Sequence, residues 1–305
     1  MAKASASESA SSLKKEIQVQ TSQLQNQQAA YKDFTARLKL LINKNPHLII
    51  TTLSNIFTMR LVGNKTHGDL AEIAIAEFIN QFMYDFKSEH VGKDLYRAKK
   101  HEEDIKVINE ITKAEFTVSL KAYGHGPLQL STDKTGFMFM RLKEMGVLID
   151  KIEDIAGIWK DPIFAALDSV NVLPLIYNEK QKQCNLLVFN VERAKGAVTS
   201  VRFVEKGNGR KHPVYRFYDC DGGCICEVRY GGGTANALQR GLWTHTKNSF
   251  KYFDSLTDGW IGYSQNRILV HLFSHALLAT AKGHETALVE LKKDIEEQKQ
   301  RSKLK

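Results

Sequence analysis

Apolar residues at Leu13, Ile17, Leu24, Tyr31, Phe34, Leu38 and Leu41 recur at intervals of three, four or seven. That is the period of one helical face, and it predicts a helix from about Ser12 to Lys44. The residues before it are rich in Ala, Ser, Gln and Lys and predict a frayed start of about 12 residues. A second apolar stretch, HLIITTLSNIFTMRLV, follows Pro46, so residues 1–62 read as an N-terminal helical cap. After a loop at Gly63 to His67, the segment GDLAEIAIAEFINQFMYDFK over 68–87 has the strongest helical pattern, with Ile75, Ile79, Phe82 and Phe86 on one stripe.

The period then changes. IKVINEI and EFTVSLKAY are rich in β-branched residues and separated by a short polar turn, which predicts a hairpin. VLPLIY and CNLLVFNV are apolar runs that extend the same sheet. VYRFYD and CICEVRY predict a second hairpin turning at Asp221, Gly222 and Gly223. The Gly-rich segment 231–233 leads into helical segments, and residues 286–305 read as a charged helix that frays. With no repeat and no proline-rich linker, residues 63–285 are expected to form one α/β domain, a mixed sheet flanked by helices, carrying catalysis and recognition together.

Composition narrows the class. A hydrophobic content of 43% and a charged content of 25% fit a globular protein that buries a core. No apolar run approaches the roughly 18–20 residues that span a bilayer, and the opening residues lack a secretory apolar region, so a cytoplasmic protein with no membrane partner is expected. Lys plus Arg number 43 against 34 for Asp plus Glu, a net charge of +9 that favours a polyanion. Positive residues gather at Arg97 to Lys100, at Lys206 to Lys211, and at Arg229, Arg240 and Lys247. Three of the four cysteines, Cys220, Cys224 and Cys226, sit in DCDGGCICEV, and the fourth is Cys184. Their spacing does not give the two pairs of a zinc ribbon, and the hairpin reading makes them structural.

The candidate chemistry lies in three segments. Alternation in FTVSLKAY puts Phe116, Val118 and Leu120 on one face and Thr117, Ser119 and Lys121 on the other. The hairpin brings Asp104, at the start of the first strand, beside Lys121. Glu72 lies on the apolar stripe of the 68–87 helix, where a carboxylate is desolvated unless a cation meets it, whereas Glu77 falls on the solvated side. Two acids and a lysine suit phosphodiester hydrolysis: carboxylate oxygens hold Mg²⁺, a hard cation, and the lysine positions the attacking water or offsets developing charge. The plainer reading is a surface aspartate with a lysine snorkelling on an edge strand.

The spacing D-x₁₄-S-x-K resembles the PD-(D/E)XK nucleases, with Glu103-Asp104 in place of Pro-Asp and Ser119-Leu120-Lys121 in place of acid-x-Lys. Ser119 departs from that pattern, which leaves the metal count and ligand set open and makes Glu72 the candidate substitute carboxylate. GDLAEIAIAEFINQFMYDF, HVGKDLYRAKKHEEDI, SLKAYGHGPLQLSTDK and GGGTANALQRGLWTHTK together resemble the HaeIII-type restriction endonucleases, associated with GGCC, discontinuously over about residues 66–250. The resemblance implies a restriction-endonuclease-like fold, Mg²⁺-dependent cleavage of double-stranded DNA, and a cognate DNA methyltransferase. A palindromic target suits a homodimer. Asp104 and Glu72 would then hold Mg²⁺, Lys121 would assist the water and Ser119 would line the site.

For DNA contact, Gln129 and Lys134 follow Lys121 in a polar loop. Asn236, Gln239 and Arg240 fall at three- and four-residue spacing, which would put Asn236 and Arg240 on one helical face. Arg240 is the expected base reader for a target of G·C pairs, and Thr244, His245, Thr246 and Lys247 the phosphate-side contacts. The competing reading is a helix–loop junction with Trp243 in the core. His271 and His275 have helical metal-ligand spacing but lie among Leu and Phe, which makes packed histidines the expectation. Two further readings stand beside the restriction enzyme: a non-enzymatic nucleic-acid-binding protein and a structure-specific repair or recombination nuclease.

Overall fold

Residues 26–44 form a helix, α1, in which Tyr31, Phe34 and Leu38 of the expected stripe are buried, while Ile42 is buried where Leu41 was expected and Leu41 is only partly covered. The computed structural model describes residues 26–48, 75–76, 78–90, 104–123, 126–133, 136–167, 170–178, 181, 183–207, 212–230, 240–257 and 259–262, with single positions at 289, 293 and 300. The expectations for Glu72, Lys134, Asn236, Gln239, His271, His275 and Arg97 to Lys100 lie outside the described residues.

The helix expected through residue 87 ends earlier. Residues 78–82 (α2) are helical, a turn follows at 84–85, and Phe86 opens a strand. The reason is tertiary. Asn80 Oδ1 accepts the Ser88 amide at 2.7 Å, Asn80 Nδ2 donates to the Ser88 carbonyl at 3.2 Å, and Ser88 Oγ donates to the Ala76 carbonyl at 2.8 Å. These bonds double the chain back on its own helix. Phe86 then packs edge-on against Phe34, with ring centroids 5.3 Å apart. Of the expected stripe, Ile75 and Ile79 are buried while Phe82 is 40% exposed.

In chain order the strands are β1 (Phe86–His90), β2 (Ile105–Asn109), β3 (Glu115–Tyr123), β4 (Pro127–Ser131), β5 (Leu148–Ile149), β6 (Val172–Asn178) and β7 (Gln183–Phe189). They continue with β8 (Ser200–Val204), β9 (Val214–Tyr218), β10 (Cys224–Arg229), β11 (Gly241–His245), β12 (Phe253–Ser255) and β13 (Ile261–Gly262). The first sheet runs β1-β2-β3-β6-β7-β12, with β13 also on β7. It is mixed, because β3 and β6 pair parallel while its other pairs are antiparallel. The second sheet runs β4-β11-β10-β9-β8-β5 and is antiparallel throughout. Both expected hairpins, β2–β3 and β9–β10, are present, and VLPLIY and CNLLVFNV do extend the first sheet as β6 and β7. The chain is an α/β protein with a mixed sheet flanked by helices. The separate antiparallel sheet was not expected, and the polar loop read at 127–131 is its edge strand β4.

Alternation divides the core in two. Phe116, Val118 and Leu120 of β3, Leu173 and Leu175 of β6, and Cys184 and Leu186 of β7 face α1 and α2. Val172, Ile176, Leu187 and Phe189 face the other way, toward the second sheet and two helices, α3 (Phe137–Met145) and α4 (Ile152–Lys160). Two shorter helices, α5 (Val191–Ala197) and α6 (Thr246–Ser249), follow β7 and β11. Among the described residues no helix is long and apolar enough to cross a membrane.

Candidate functional site

Because Phe116, Val118 and Leu120 are taken by the first core, Ser119 and Lys121 project from the opposite face of β3. The β2–β3 register pairs Ile105 with Val118, and the Asp104 amide donates to the Val118 carbonyl at 3.2 Å. Asp104 is thereby set against Ser119. Its Oδ2 accepts the Ser119 hydroxyl at 3.0 Å and the Leu120 amide at 2.6 Å. Lys121 Nζ stands 3.6 Å from the same oxygen. The Asp104 side chain is 8% exposed and that of Lys121 38%, so the acid is fixed and the amine reaches solvent. The three sequence-predicted residues Asp104, Ser119 and Lys121 therefore share one face.

The division of labour within the carboxylate matters. Oδ2 is committed to the protein, and among the described residues Oδ1 accepts no hydrogen bond. A divalent ion on this face would meet one hard carboxylate oxygen with a lysine cation nearby, and would need its other ligands from elsewhere. Among the described residues no group of three or more His, Cys, Asp or Glu side chains gathers to hold a metal. Past Lys121, β3 ends at Tyr123 and the chain re-emerges at Pro127 in the second sheet, so the site lies where the chain passes from one sheet to the other.

The expected DNA contacts are placed differently. Gln129 is half-buried on β4, and its Nε2 donates to the Arg240 carbonyl at 3.0 Å and to Thr132 Oγ1 at 3.3 Å. Arg240 is not helical: it stands in a bend ahead of β11, because residues 241–245 pair with β10 and β4. Thr244 is buried, its hydroxyl donating to the Ile225 carbonyl at 2.7 Å and sharing a 2.5 Å bond with Ser249 Oγ, so it does not face a phosphate. Thr246 is buried as well. Lys247 is exposed on α6. His245 is half-buried on β11, with Nδ1 lacking a hydrogen-bond partner among the described residues. Trp243, which the competing reading put in the core, is half-buried on the outward face of the second sheet.

That outward face carries a charged group around Trp243, in which Arg229, already one of the gathered positive residues, meets Glu227 and Arg216, which no motif singles out. Their alternation in VYRFY and CICEVR was visible, but their convergence depends on strand register. Two of the cysteines are buried, while Cys220 is exposed and Cys224 half-buried. Cys184 is buried in the first core, with its thiol pushed up to about 12 by desolvation, and Cys226 is buried in the second. Desolvation also raises the Cys224 thiol to about 11. The chain matches no protein family, no curated protein and no solved structure.

Proposed function

We propose that this protein is a Mg²⁺-dependent endonuclease of restriction-endonuclease-like fold that cuts double-stranded DNA at a short site, as a type II restriction enzyme does. The observation that carries the reading is Lys121 Nζ at 3.6 Å from an Asp104 carboxylate whose second oxygen is uncommitted among the described residues. The net charge of +9 supports a polyanionic substrate. The resemblance to the PD-(D/E)XK pattern agrees with an acid opening β2 and a Ser-x-Lys element on β3.

In this reading Asp104 would hold the metal, with Glu72 as the candidate second carboxylate. When bound, Mg²⁺ offsets negative charge on the scissile phosphate and acidifies a water. The protein's own part is positional. Ser119 and the Leu120 amide fix the carboxylate so that it need not reorganise during the reaction. Lys121, half in solvent, orients the attacking water and places a positive charge beside the phosphate. The DNA, a homodimer and a protecting methyltransferase belong to the same proposal.

The test is incubation of the full chain with plasmid DNA and Mg²⁺ beside an EDTA control. Discrete fragments in the Mg²⁺ arm are expected. A smear would make it a non-specific nuclease, and preference for branched DNA a repair or recombination nuclease. Intact plasmid with a mobility shift would leave a binding protein, with Asp104 as a strand-end clamp.

A further inference from the structure

The second sheet presents one face to the core and the other outward, and register aligns a row of polar side chains across the outward face. Arg202 of β8 stands opposite Arg216 of β9, Arg216 opposite Glu227 of β10, Glu227 opposite Trp243 of β11, and Trp243 opposite Gln129 of β4. Glu227 is the buried centre. Its Oε2 accepts Arg216 Nε at 3.0 Å and its Oε1 accepts Arg229 Nε at 2.7 Å. The Arg229 guanidinium carbon also lies 4.1 Å from the centre of the Trp243 ring. Arg216, Glu227, Arg229 and Trp243 line a cavity of about 460 Å³.

This arrangement selects which edge of each guanidinium remains for a ligand. With Nε tied to the carboxylate, Nη1 and Nη2 are the donors that Glu227 does not use, although the Arg216 guanidinium also bonds with the Tyr218 side chain. On Arg229 neither has a hydrogen-bond partner among the described residues. A guanidinium held through Nε and stacked on an indole has given up its rotamer freedom before any ligand arrives. Two parallel N–H donors match two adjacent acceptors. In the major groove guanine offers that pair, N7 and O6, whereas adenine puts a donor beside its acceptor. Three arginines against one glutamate also give the face the sign opposite to DNA.

We infer that Arg216 and Arg229 read guanine edges of duplex DNA, with Glu227 as the positioning residue that aims both. The inference rests on the nuclease reading for its substrate class.

The experiment measures binding of the full chain by fluorescence anisotropy to two duplexes of equal length, one of G·C pairs in all arrangements and one of A·T pairs, with Ca²⁺ replacing Mg²⁺. The wild-type chain is expected to prefer the G·C duplex by about tenfold or more. Arg216→Lys and Arg229→Lys keep the charge but lose the fork, so each should remove most of that preference while A·T binding stays within about twofold. Glu227→Gln should do the same by releasing both guanidinium groups, and it carries the test if a lysine variant melts early. Preference unchanged in the variants overturns the inference. So does equal loss on both duplexes with a shallower salt dependence, which would make the arginines phosphate contacts. A wild-type chain that binds the two duplexes equally, or binds neither, overturns it as well. Plasmid cleavage run in parallel separates the two readings. Cleavage with preference untouched by the variants sinks only the guanine contacts, whereas guanine preference without cleavage sinks only the nuclease.

Discussion

The Leu120 amide donates to Asp104 Oδ2 at 2.6 Å, and that bond ties the start of β2 to the strand bearing Lys121. It commits one carboxylate oxygen to the hairpin, while among the described residues the other accepts no hydrogen bond. Under the proposed function, structural and chemical roles fall on different atoms of one side chain and can be separated by substitution.

Asp104→Asn keeps an acceptor oxygen for Leu120 and Ser119 but removes the negative charge. DNA cleavage is expected to fall by roughly a hundredfold or more, while the thermal transition and DNA binding persist. Timed plasmid digestion beside a melting curve checks this, and full activity would remove Asp104 from the mechanism.

Lys121→Ala loses the amine that stands 3.6 Å from Asp104. The cleavage rate is expected to drop by about 10²–10⁴-fold. Because the lysine is part-exposed, stability should change by less than about 1 kcal/mol. A urea titration separates that loss of rate from a loss of fold.

Gly241 opens β11 with φ +106, and a Cβ there would lie 2.3 Å from the Ser131 carbonyl oxygen and 2.6 Å from the Asp133 amide nitrogen. Both neighbours are backbone, so neither can swing aside. Gly241→Ala should cost about 3 kcal/mol or more and lower Tm by roughly 6–12 °C. A Tm equal to wild type would mean that β4 and β11 do not approach this closely.

Asp219 gives a pH signature of the fold. Burial pushes its carboxyl up, but Lys251 at 2.8 Å, the Tyr252 hydroxyl at 2.7 Å and the Gly223 amide at 2.7 Å outweigh this and hold it at about 2, below its ordinary 3.8. The folded value is depressed, so the stabilisation is complete above the unfolded value and is lost as pH falls from about 4 toward 2. Its size is about 2 kcal/mol. Asp219→Asn should flatten the stability curve in that window, read by denaturant midpoints at successive pH values. An unchanged slope would show that these partners do not hold the carboxylate.

Local pattern carried much of this. The stripe of α1 and the alternation in β2 and β3 put Ser119 and Lys121 on the face away from the core, because side-chain direction in a strand depends only on parity. The hairpin turns were equally legible. The end of α2 was not, since 84–87 has helical apolar spacing and is pulled into a turn and strand by Asn80, Ser88 and Phe34. Thr244, expected beside a phosphate, is buried for a related reason: β11 is a strand whose alternation turns Leu242 and Thr244 inward and Trp243 outward.

What the chain determined by itself is the period of each segment and which residues share a face within it, since those follow from bond geometry over a few residues. Tertiary structure alone decided which strands lie side by side. That choice laid β11 between β10 and β4, which brought Trp243 beside Glu227 and Gln129, and it paired β3 with β6. Pairing and register are settled by burying both cores at once, a condition on the whole chain that no single segment contains.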